Sequence, residues 1–134
     1  MQYVVDASIA SEYLLKTPLG KKVAPILEQA NLIAPSLLDV EVMSVFRRAV
    51  RLNKISEDRA SIAIDDLKNW PVTRISHRKL LLTAWDYRNN LSAYDAFYAA
   101  AAKLFDSVLI TSDGPLSRAP IPDVAIQNIS IYSK

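Results

Sequence analysis

Short apolar runs that do not alternate with polar residues recur along this chain, and each is followed by residues of helical period. Tyr3, Val4 and Val5 make the first run, and Val108, Leu109 and Ile110 make a late one. An alternating strand buries one face. An unbroken apolar strand is buried on both, which belongs to a parallel sheet covered by helices on either side. Residues 2–5 read as such a strand, followed by helices over 8–16 and 19–29 that Pro18 and Gly20 separate. Leu32 and Ile33, stopped by Pro35, form a short strand. A long amphipathic helix follows over 36–53, with Leu38, Val42, Val45, Ala49 and Leu52 on one stripe and Ser36 and Asp39 as a capping box. The pattern then predicts a helix over 56–69 capped by Ser56, a strand from Val72 to Ile75 and a helix over 77–90. Next come a helix from Ser92 to about Phe105, a strand over 107–111, and a last strand, whole or in two pieces, over 123–131. Strands alternating with helices make this an α/β chain with a mainly parallel sheet.

The composition agrees with one such domain. The chain has 134 residues, 51% of them hydrophobic, enough for a full core without a staple. It has no Cys, which excludes disulfides and thiolate metal sites and suits a reducing, cytoplasmic setting. The N-terminus enters a strand directly, so no signal peptide is expected. The longest apolar stretch, around Asp95, is too short and interrupted to span a membrane.

Four acids border these apolar segments. Asp6 ends the first strand, Glu41 sits inside the stripe of the long helix, Asp95 is the only charge between Leu91 and Ala102, and Asp113 follows the strand over 107–111. In parallel α/β sheets the working site lies beyond the carboxyl ends of the strands, where Asp6 and Asp113 fall and near which the helices of Glu41 and Asp95 begin. Each acid also has an ordinary alternative. Asp6 suits a helix cap, though Ser8 suits it too. Glu41 lies about 60° from Leu38 at ~100° per residue, at the edge of the inward stripe, and a salt bridge to Arg48 would also explain it. Asp95 follows Ser92 by three, as in a capping box, yet its helix is apolar on every side and so reads as buried. Asp113 precedes Gly114 and Pro115, a turn signal. Taken together, four carboxylates at one end of a sheet repel one another, and a divalent cation is the usual remedy. Oxygen donors without His or Cys favour Mg²⁺ or Mn²⁺ over Zn²⁺, and such ions suit phosphodiester hydrolysis. With these four set aside, 16 basic residues face 10 of the 14 acids, so the pocket is negative on a mildly basic body.

The segments VVDAS, APSLLDVEVMSVFRRAVR, LSAYDAFYAAAAKLF and LITSDGPLSRA resemble PIN-domain proteins, in particular the VapC-like toxins of toxin–antitoxin pairs. The order, type and spacing of the acids agree across nearly the whole chain. The resemblance implies one three-layer α/β/α domain over residues 1–134 and a Mg²⁺- or Mn²⁺-dependent endoribonuclease. Asp6, Glu41, Asp95 and Asp113 match the acidic metal-binding positions, and Ser8 and Thr111 match small hydroxyl residues that orient a carboxylate or water. It also implies a homodimer and an antitoxin that blocks the site. This chain departs from many relatives after Asp113, where Gly114 and Pro115 replace a basic residue, making Asp113 the first ligand to question. Arg118 is the candidate to supply the missing charge. Asp39 reads as a cap.

Arg47, Arg48, Arg51 and Lys54 make part of the long helix basic. With Arg118, Arg47 and Arg48 are candidate RNA contacts, a solvated helix face being the ordinary alternative. The single His77 reads as a cap or surface residue, and no triad is supported. Trp70, Trp85, Tyr87, Tyr94 and Tyr98 read as core or dimer contacts. Two glycines, Gly20 and Gly114, make no phosphate cradle. A phosphatase with an aspartyl nucleophile needs a second Asp two residues after Asp6, where Ser8 stands. An inactive PIN-like binding module and a PIN nuclease of RNA processing without an antitoxin remain as rivals.

Overall fold

The computed structural model describes residues 1–131. The elements follow in the order β1 (Gln2–Val5), α1 (Ala7–Leu15), α2 (Pro18–Glu28), β2 (Asn31–Pro35), α3 (Leu37–Arg51), α4 (Glu57–Asn69), β3 (Val72–Ile75), α5 (His77–Asp86), α6 (Ala93–Leu104), β4 (Val108–Thr111), α7 (Gly114–Ser117) and β5 (Ile126–Asn128). The strands form one sheet in the order β3-β2-β1-β4-β5, and every neighbouring pair is parallel. The chain crosses from β1 through β2 to β3 in one direction and returns from β3 to β4 in the other. Right-handed crossovers then place α1–α4 on one face and α5 and α6 on the other, making three layers. Val4, Val5, Leu109 and Ile110, in the two central strands β1 and β4, are fully buried, as unbroken apolar runs require.

Local chemistry accounts for the element starts. The side chains of Asp6, Thr17, Ser56, Ser92 and Asp113 each accept a backbone N–H in the first turn of α1, α2, α4, α6 and α7. Gly20 is where α2 crosses closest to α1, and a Cβ there would lie 2.0 Å from the carbonyl oxygen of Glu12.

The structure corrects several expectations. Ser36 and Asp39 form no capping box. Ser36 has helical backbone angles and no side-chain cap, and its hydroxyl donates instead to the Ile75 carbonyl at 3.2 Å. Asp39 accepts from Arg74 at 2.9 Å, and the same guanidinium donates to the carbonyls of Leu67, Trp70 and Val72, fastening β3 to α3 and α4. Pro35 does end β2, but as its last paired residue, opposite Ile75, rather than as the residue after it. The helix beginning at His77 ends at Asp86, and residues 87–90 form turns. The last strand has three residues, and a one-turn helix precedes it. Val45 and Leu52 share the phase of Leu38 but are 42% and 52% exposed, while Leu38, Val42 and Phe46 are buried. Burial needs a neighbour as well as the right angle, and the outer half of α3 has no cover on that side. Along α6, Ala96 and residues 98–102 are buried, but Tyr94 and Leu104 are exposed, so that helix is not buried all round.

Candidate active site

The two central strands decide where the acids meet. β1 and β4 are neighbours with Val5 opposite Ile110, so Asp6 and Thr111 leave the sheet side by side at its carboxyl end. The Asp6 N–H continues the ladder to the Ile110 carbonyl at 3.4 Å. Its carboxylate is 5% exposed and both oxygens are occupied. Oδ1 accepts from Ser8 Oγ at 2.6 Å and from the Ile9 N–H at 3.1 Å, and Oδ2 accepts from Thr111 Oγ1. Each hydroxyl is itself oriented by a backbone donor. Ser8 Oγ accepts from the Ser112 N–H at 3.0 Å, and Thr111 Oγ1 accepts from the Asp113 N–H at 2.9 Å. The single proton of each hydroxyl is thereby directed at Asp6.

Burial nevertheless dominates. It pushes the Asp6 carboxyl up to about 6; the hydrogen bonds from Ser8, Thr111 and Ile9 pull it down, and the charge of Asp113 adds to the rise. Glu41, in the second turn of α3, is half-buried. Burial raises it, the Tyr98 hydroxyl donating to Oε1 at 2.7 Å lowers it, and the charge of Asp95 raises it again. Asp95, in the first turn of α6, is raised by burial and by the charge of Asp113, and lowered by Ser92. Asp113 caps α7, accepting from the Leu116 N–H at 3.2 Å. The charge effects run from Asp6 to Asp113, from Asp113 to Asp95 and from Asp95 to Glu41, so the four carboxylates form one electrostatic unit. Among the described residues no three His, Asp or Glu side chains converge tightly enough to hold a cation as they stand. Unneutralised carboxylates repel, and Asp6, Glu41 and Asp113 each accept hydrogen bonds from neutral donors.

The alternatives for individual acids divide. Asp6 and Asp113 do cap their helices, and these roles coexist with membership of the cluster. Ser92 caps Asp95's own N–H at 3.2 Å. Arg48 makes no salt bridge to Glu41, and the ion pairs among the described residues, Arg74–Asp39 and Lys103–Asp123, leave all four acids without a cationic partner. Asp39 belongs to the Arg74 clamp. Arg118 folds back over α7, its Nη1 2.8 Å from where a Cβ on Gly114 would stand, so the glycine after Asp113 makes room for that guanidinium. Arg47 is exposed and lines a groove of about 290 Å³ between α3 and α4 with Met43, Phe46 and Ile64, away from the four acids. Arg48 is exposed, and His77 packs against Phe97. Trp70, Tyr87 and Tyr98 are core residues, while Trp85 and Tyr94 are exposed, Trp85 beside a groove of about 550 Å³ between α5 and α6 that also contains none of the acids. Tyr98 is the residue at this site that composition did not single out. The signal was available: a Tyr buried among alanines needs a hydrogen-bond partner, and it stands three residues after Asp95. No helix among the described residues is long and apolar enough to cross a membrane.

Comparison with known proteins places this geometry. The sequence matches the PIN domain over residues 3–122. It is 40% identical over 119 residues to Ribonuclease VapC1 of Mycobacterium tuberculosis, a match covering 87% of this chain and 90% of the relative. The fold is similar to the VapBC2 crystal structure from Rickettsia felis, bound to a DNA fragment from its promoter, with a TM-score of 0.69, 14% identity and coverage of 97% of this chain and 100% of that one. It is also similar to a toxin–antitoxin complex from Klebsiella pneumoniae, with a TM-score of 0.60, 18% identity and coverage of 98% and 99%. A parallel sheet in this strand order, acids gathered beyond its central strands and a match over most of the length have one common explanation: the chain belongs to the PIN-domain family and stands with its VapC ribonucleases.

Proposed function

We propose that this chain is an endoribonuclease, the toxin of a toxin–antitoxin pair, and that Asp6, Glu41, Asp95 and Asp113 form its catalytic site with Mg²⁺ or Mn²⁺. The observation that carries the site is Asp6: a carboxylate at the end of a central strand, almost wholly buried, held on both oxygens by oriented hydroxyls and left without a counter-charge. The donor set fits a hard divalent ion in kind, because every available group is a carboxylate oxygen. Burial first, and the charges of neighbouring acids after it, raise Asp6, Glu41 and Asp95, and a bound cation would offset both. A bound divalent cation supplies a more acidic water and neutralises charge on the attacking and leaving oxygens of an in-line displacement.

The protein's own part is positioning. Ser8 and Thr111 hold Asp6 in one orientation, and the Thr111 side chain also accepts from the Asp113 N–H, so one hydroxyl ties the two acids to the end of β4. Exposed Arg118, beside Asp113 at α7, is placed to meet an RNA phosphate, and the basic surplus on the rest of the surface attracts the polyanion. The name and likeness of VapC1 support the ribonuclease reading, and an antitoxin would act by covering this acidic end of the sheet.

Purified, antitoxin-free protein should cut RNA with Mn²⁺ or Mg²⁺ and stop with EDTA. Asp6→Asn or Asp95→Asn should reduce cleavage by at least 100-fold, about 3 kcal/mol of lost barrier lowering, with circular dichroism unchanged. Undiminished cleavage in EDTA, or in either variant, sinks the metal-nuclease assignment. Normal antitoxin binding with no cleavage of any RNA would point to a binding module instead.

A further inference from the structure

Tyr98 is 2% exposed, yet its hydroxyl reaches the half-buried Glu41, donating to Oε1 at 2.7 Å. The phenol stands three residues after Asp95, on the same face of α6, whereas Glu41 is carried by α3 in the opposite helical layer. The ring therefore bridges the two layers where the acids gather. Among the described residues no other side chain donates to Glu41, and Oε2 is left without a protein donor. The chemistry of this donor matters. A Lys or Arg in its place would hold Glu41 and cancel its charge. A phenol beside several carboxylates stays protonated, so it holds Glu41 and leaves the charge in place. Ser8 and Thr111 treat Asp6 the same way, and none of the four acids has a cationic partner among the described residues. We propose that Tyr98 is a positioning residue, its hydroxyl fixing the orientation of Glu41 for a divalent cation without neutralising it. This rests on the four acids being a cation site.

The test is a double-variant cycle on metal-stripped protein: wild type, Tyr98→Phe, Glu41→Gln and both together. Mn²⁺ affinity is measured by calorimetry, melting in EDTA is measured separately, and Asp6→Asn serves as the reference for a broken site. The phenylalanine keeps the ring that fills the core, so Tyr98→Phe should fold, with melting in EDTA close to wild type. Its Mn²⁺ affinity should fall about tenfold, the lower end of what loss of a carboxylate-orienting partner costs a metal site. In the Glu41→Gln background the same change should alter affinity less than twofold. A Tyr98→Phe protein that binds Mn²⁺ as wild type does, that weakens binding equally in both backgrounds, or that does not fold would make Tyr98 a structural residue and overturn the proposal. Wild type that binds Mn²⁺ no better than Asp6→Asn would instead remove the cation site on which the proposal rests.

Discussion

Asp6 shows how one residue carries opposing demands. Its folded pKa of about 6 lies above the ordinary carboxyl value of 3.8, burial being the largest cause. The folded chain therefore holds this proton more tightly than the unfolded chain does. The stability that results is complete below about pH 4, falls as pH rises towards 6, and is gone above it. At ~1.4 kcal/mol per pKa unit the effect is at most about 3 kcal/mol. The expected outcome is that metal-free wild type in EDTA loses melting temperature between pH 4.5 and 7, whereas Asp6→Asn loses much less over the same span. Glu41 and Asp95 are also raised and act with the same sign. Parallel curves for wild type and Asp6→Asn would show that Asp6 is not held as described. The cost is functional: a carboxylate kept dry and unpaired at neutral pH is unfavourable for the fold and available to a cation.

At the level of elements, the junction of α1 and α2 is the most closely fitted. Thr17 caps α2 by accepting from the Gly20 N–H at 3.1 Å, and its hydroxyl also meets the Glu12 carboxylate. With no Cβ, Gly20 lets α2 lie against the Glu12 carbonyl; a methyl 2.0 Å from that oxygen has only backbone to push against. Ala ordinarily stabilises a helix by about 1 kcal/mol over Gly, but here the clash outweighs it. Gly20→Ala should lower stability by about 2 kcal/mol or more in urea unfolding, and a neutral or stabilising result would contradict the close approach. Elements also explain the partial legibility of the helices. Phase was readable, since Leu38 and Val42 face inward as spaced. Cover was not, since Val45 and Leu52 depend on whether anything lies opposite them. The Ser36–Asp39 box failed for a related reason: the Ser36 N–H and hydroxyl both go to the Ile75 carbonyl of β3, and Asp39 pairs with the long-range Arg74.

For the whole molecule, gathering four acids at one end of the sheet is a strain that a cation would relieve. A ligand that binds the folded chain alone adds RT ln(1 + [L]/Kd), about 2.7 kcal/mol at 100 times Kd. Millimolar Mn²⁺ or Mg²⁺ should therefore raise the melting temperature of wild type by several degrees, EDTA should reverse it, and Asp6→Asn should show little shift. An equal shift in Asp6→Asn would place the cation elsewhere. The amino-acid sequence by itself determined the α/β class and its parallel sheet, because unbroken apolar runs and helical periods are local patterns read a few residues at a time. It also determined that Asp6 and Asp113 follow strands and that Glu41 and Asp95 lie in the first two turns of helices. Only the tertiary structure decided what each carboxylate touches. Asp6 and Thr111 are 105 residues apart and meet because β1 and β4 are neighbours in one register, and Glu41 and Tyr98, 57 apart, meet because α3 and α6 converge at the same end of the sheet. Hydrogen bonds reach about 3 Å, so such partners are chosen by the packing of whole elements, which no local pattern encodes.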